Sequence, residues 1–84
     1  MSTDLKIFLP GEKTLNVDIF KKGIENTTEA IQANIEGAII RISKVDMNEW
    51  SFIIEVDCEE SAAEVKRHCE EVEIKVEEIM KTPE

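Results

Sequence analysis

Apolar and polar residues alternate through Leu5, Ile7 and Leu9 and again through Leu15, Val17 and Ile19, the two-residue period of half-buried strands. Between the runs stands Pro10-Gly11, suited to the centre of a type II turn because proline fixes φ and glycine accepts positive φ. The pattern predicts a hairpin. Asn26-Thr27-Thr28-Glu29 then reads as a helix start, with an Asx cap and a glutamate able to reach back to it. Ala30, Ile31, Ala33 and Ile35 continue the helix, and Gly37 stops it. Phe20 and Ile24 extend the same stripe backward, so a start near Asp18 is the competing boundary, with Gly23 against it.

The second half repeats the pattern. Residues 38–45 are rich in β-branched side chains, and Trp50, Phe52, Ile54, Val56 and Cys58 alternate with Ser51, Ile53, Glu55 and Asp57. Asp46-Met47-Asn48-Glu49 is the turn between them, and Trp50 and Phe52 are expected in the core. Ser61-Ala62-Ala63-Glu64 forms a capping box. The stripe Ala62, Val65, Cys69, Val72, Val76, Ile79 has helical spacing, and it predicts one helix over residues 62–79.

A shift of 35 residues lays Leu5 on Ile40, Val17 on Phe52 and Glu29 on Glu64, so residues 1–84 read as one domain with halves at about 5–37 and 38–82. The predicted fold class is α+β, a two-layer sandwich of a four-stranded antiparallel sheet with two helices on one face, in the order ββαββα. Val72, Ile74 and Val76 also alternate. The alternative is therefore a helix ending near Glu71, a strand over residues 73–79, and a ferredoxin-like βαββαβ plait with residues 15–19 as its first strand. A tight return from helix to strand normally uses Gly or Asn, and neither is present there, which favours the continuous helix.

Residues 30–59, with Gly37, Val45, Trp50 and the run Phe52-Ile53-Ile54-Glu55-Val56, resemble the helix-then-hairpin segment of the gas vesicle accessory protein O family. The resemblance covers about a third of the chain and implies a helix followed by a hairpin there. Where that family has basic, aromatic C-terminal strands, this chain is expected to have an acidic helix, and no functional residue is carried across.

Charge narrows the partners. Nineteen Asp and Glu face ten Lys and Arg, a net charge of −9 that disfavours nucleic acid and anionic membranes and leaves a protein partner, favoured if its surface is basic. Nine of the acids lie in residues 59–84. No apolar run is long enough to span a membrane. Two cysteines without a secretory signal imply free thiols in a reducing cytoplasm.

Catalytic material is sparse. The single histidine, His68, precedes Cys69, and neighbours on a helix point about 100° apart, so they form no dyad. Cys58, His68 and Cys69 fall short of a zinc set, and Asp46, Asn48 and Glu49 lack the ligands of a calcium loop. The sequence therefore predicts a small acidic protein-protein interaction module or adaptor, without cofactor, metal or enzymatic activity. Its expected contact surfaces are the open sheet face, with Phe8, Ile39, Arg41 and Ile53, and an acidic C-terminal helix with Glu70, Glu71, Glu77 and Glu78. The alternative function is a nucleic-acid-mimicking inhibitor that docks those carboxylates on a basic nucleic-acid-binding protein. A homodimer is expected through Phe8, Ile39 and Ile53 and through Ile79 and Met80 at an overhanging helix end.

Overall fold

The computed structural model describes residues 2–79. The chain runs β1 (Thr3–Phe8), α1 (Val17–Asn34), β2 (Ile40–Asp46), β3 (Ser51–Val56), α2 (Glu59–Glu71) and β4 (Val76–Ile79). The strands form one antiparallel sheet in the order β2-β3-β1-β4, and the helices pack against it. The α+β two-layer class is thus the one the residue pattern predicts. The order of elements is that of the alternative, βαββαβ, so the chain runs as β-α-β twice over in place of strand-strand-helix twice over.

Two local features account for the difference in order. The first lies at residues 14–19. Asn16 caps α1: its Oδ1 accepts the Ile19 N–H at 3.1 Å, while its own N–H donates to Thr14 Oγ1 at 3.1 Å. Leu15, Val17 and Ile19 thereby become the exposed surface around a helix start, with Leu15 92% exposed, and no strand forms there. The buried stripe of α1 is Phe20, Ile24, Thr27 and Ile31, so Asn26-Thr27-Thr28-Glu29 lies inside the helix. Gly11 does take the positive φ its turn requires, +89°, yet the turn leads into α1 rather than to a partner strand. β1 is left to pair on both sides, with β3 (Ile7 opposite Phe52) and with β4 (Ile7 opposite Val76).

The second feature is the end of α2. Glu73 has φ +61°, its N–H donates to Glu70 O at 3.2 Å, and the Ile74 N–H donates to Cys69 O at 2.7 Å. These are the paired hydrogen bonds of a left-handed helix ending, and Ile74 supplies its usual apolar contact by packing on the core. A left-handed conformation costs a non-glycine residue about 1–2 kcal/mol. Here a glutamate occupies it, which is why no Gly or Asn marks the return. At the other end Cys58 is the N-cap, three residues before the predicted Ser61, and Glu59 and Glu60 occupy the first turn where the helix dipole favours negative charge.

Leu5, Ile7, Phe52, Ile54 and Val56 are completely buried beneath the helices, joined by Ala62, Val65 and Cys69 of α2. Trp50 and Phe52 are core residues, as the alternation predicts, and the Trp50 ring lies 5.0 Å from that of Phe20 between centroids. Cys58 and Cys69 are free thiols.

Candidate interaction surface

The face of the sheet turned away from the helices carries Lys6, Phe8, Ile53 and Glu55, because their neighbours Leu5, Ile7, Phe52, Ile54 and Val56 point inward. It is laced with charge. Lys6 Nζ lies 2.8 Å from Glu49 Oε1, and that carboxylate holds Lys6 above the usual lysine value. The ammonium groups of Lys75 and Lys6 sit 4.9 Å and 5.7 Å from the centroid of the Phe8 ring. Arg41 approaches Glu55 at 3.9 Å. Of the four sheet-face residues expected from the sequence, Phe8, Arg41 and Ile53 share this face, and Phe8 and Ile53 are half-buried. Ile39 stands just before β2 and is 63% exposed.

The expected acidic helix surface does not form as one ridge. Glu70 and Glu71 end α2, whereas Glu77 and Glu78 are on β4, where alternation sends them to opposite faces. Glu77 stands opposite Lys6, and Glu78 stands opposite Leu5 with its Oε2 3.6 Å from Lys66 Nζ. The reversal at Glu73 separates the two pairs. It also removes the overhanging helix end, since Ile79 is a strand residue opposite Asp4, while Met80 lies outside the described residues.

A third surface was not anticipated. β2 pairs with β3 as Ile42 opposite Ile54, Lys44 opposite Ile53 and Val45 opposite Phe52, so Ser43 is an inserted residue, a β-bulge. Its Oγ donates to Ile53 O at 3.3 Å. The insertion puts Ile42 and Val45, three positions apart, on the same helix-facing side. Both are nonetheless half exposed, 46% and 51%, because β2 is an edge strand that α1 covers only in part. A groove of about 510 Å³ runs between α1 and β2, lined by Val17, Phe20, Ile24, Ile42, Val45 and Met47 together with Lys21 and Glu25. The one signal in the sequence was the break in alternation at Ser43-Lys44, which puts Val45 out of phase with Ile40 and Ile42.

The chemistry around these surfaces is quiet. Burial pushes the Cys69 thiol above its usual value, which opposes the thiolate that a nucleophile requires. Asp46 Oδ1 accepts the Glu49 N–H at 3.1 Å and is held by it below the ordinary carboxylate range. Among the described residues no group of His, Cys, Asp or Glu is placed to hold a metal ion, and no helix is long and apolar enough to cross a membrane. No protein-family model matches the chain, and no curated protein does either.

Proposed function

We propose that this chain is a non-catalytic protein-interaction module that receives an extended polypeptide segment along the β2 edge and seats apolar side chains of that segment in the groove between α1 and β2. The observation that carries this reading is the half exposure of Ile42 and Val45 on the helix-facing side of an edge strand, directly beside an apolar groove. Strand addition of this kind draws affinity from main-chain hydrogen bonds and selectivity from the pockets that take alternate side chains. The net charge of −9 steers the module toward neutral or basic contact surfaces, and its free thiols suit a reducing cytoplasm.

The test is quantitative affinity capture from source cells with three baits that retain their fold by circular dichroism. Ile53→Lys on the open face should keep the bound partner, and the double variant Ile42→Lys/Val45→Lys should lose it. The reverse pattern would move the function to the open sheet face. Neutralising Glu70, Glu71, Glu77 and Glu78 to Gln should leave binding in place, and a progressive loss across that series would identify a carboxylate-based nucleic-acid mimic.

A further inference from the structure

We infer that the segment seated at the β2 edge is β2 of a second copy of this chain, paired antiparallel about a two-fold axis passing between Ser43 and Lys44. The inference rests on the reading above and names its partner.

Backbone direction is the first argument. Trp50 O accepts the Leu9 N–H at 2.9 Å, so Phe52 and Ile54, in step with Trp50, turn their backbone groups toward β1. Their neighbours on β2, Val45 and Ile42, consequently form non-hydrogen-bonded pairs with β3 and turn their own N–H and C=O outward. In an uninterrupted strand two residues three apart would face opposite ways. The bulge at Ser43 brings both to the open edge and to the helix-facing side together.

Register is the second. With the axis between Ser43 and Lys44, Ile42 lies opposite Val45 of the second copy and Val45 opposite its Ile42, each pair exchanging hydrogen bonds and continuing one apolar surface. On the open face Arg41 meets Asp46 of the second copy, again twice. A slip of one residue in one direction sets Lys44 against Lys44, and in the other sets Ile42 against Lys44 from the opposite face, so neither one-residue slip matches both faces.

Charge distribution is the third. Residues 38–46 carry one acid against two bases, while residues 59–79 carry eight acids against three bases. The sheet order puts β4 at the edge remote from β2. Joining copies through β2 therefore holds their most acidic parts apart, whereas joining through β4 would oppose Glu77 and Glu78 to their own copies. Lys21 and Glu25, one helical turn apart, line the groove with one charge of each sign.

Light scattering coupled to size exclusion should give twice the chain mass of 9.6 kDa at micromolar concentration. Hydrogen exchange should show protection of the Ile42 and Val45 amides rising with protein concentration. Arg41→Glu should raise the dissociation midpoint about tenfold, because it places like charges opposite one another twice. Asp46→Arg should do the same, and the combined swap should restore pairing; Asp46→Asn, which can keep the turn contact to Glu49, should fall between. A monomer at high micromolar concentration, a dimer whose Ile42 and Val45 amides exchange as in the monomer, or a combined swap no better than either single change would each overturn the pairing. A monomer whose partner capture is still lost in Ile42→Lys/Val45→Lys would overturn self-pairing and leave the module reading standing.

Discussion

The two edges of this sheet are built on opposite plans. At β4, Val76 is half-buried against the core, Glu78 is held beside Lys66 of α2, and Glu77 stands across from Lys6. Charge of this kind blunts an edge against unwanted strand pairing. At β2, Ile42 and Val45 lie half in water beneath a helix that does not close over them, and the charges of Arg41, Lys44 and Asp46 are on the far face. Ile42, Val45 and Val17 thus gather exposed apolar surface around one groove at the β2 edge, and a cluster of that sort marks a contact surface.

The cross-strand pair Ile42 and Ile54 gives the strongest way to break this comparison, because the two are the same residue type, directly opposite, and differ in burial. Ile54→Ala should cost about 2–5 kcal/mol, as a cavity beneath both helices. Ile42→Ala should cost about 1 kcal/mol or less, since only part of its side chain leaves water on folding. Urea denaturation at protein concentrations below the dissociation midpoint of any pairing measures both. Equal losses would mean that β2 is as well covered as β3, and the asymmetry of the edges would be gone.

Two smaller changes sharpen it. Asn16→Ala removes the side chain that accepts the Ile19 N–H and should cost about 1 kcal/mol, with faster amide exchange in the first turn of α1 beside the groove. Glu73→Gly relieves the left-handed strain at the end of α2 and should raise the melting temperature by a net stabilisation somewhat under ~1 kcal/mol, part of the relief being offset by the entropy of glycine. That substitution acts on the β4 side alone. A change in partner capture with Glu73→Gly would show that the two edges are coupled.

The smallest effect is that of pH on the β2 turn. Asp46 is held below its unfolded value chiefly by the Glu49 backbone N–H, so its contribution is present above the unfolded pKa and is lost as pH falls through the folded one. Carbon-detected titration should place the Asp46 midpoint below 3.8, and Asp46→Asn should flatten the acid limb of stability in that window. A midpoint at or above the usual carboxylate value would show that the turn is not formed as described.

The sequence made the inner face of the sheet legible because burial imposes a strict period: Phe52, Ile54 and Val56 alternate without a break and are all fully buried. It was misleading at residues 15–19 because Leu15, Val17 and Ile19 keep the same period while lying on a solvent-exposed helix start, where nothing selects one face. The end of α2 was hidden for a different reason. Glu73 tolerates a strained backbone that tertiary packing of Ile74 and Val76 over-determines, and local propensity carries no trace of such packing. Of the surface residues, Phe8, Arg41 and Ile53 followed from alternation alone. Ile42 and Val45 did not, because their shared face depends on a single inserted residue whose only sign is a lapse in phase.

The position of β1 has a consequence for the making of the protein. This strand is synthesised first and occupies the interior of the sheet, yet its two neighbours, β3 and β4, come much later in the chain. While the nascent polypeptide emerges from the ribosome, Leu5 and Ile7 have no strand to lie against until Phe52 and Ile54 have been delivered, and the second side stays open until Val76 follows. Folding is therefore governed by long-range pairing and is slow for so short a chain. During that wait the apolar side chains of β1 stand uncovered, the kind of surface that chaperones shield.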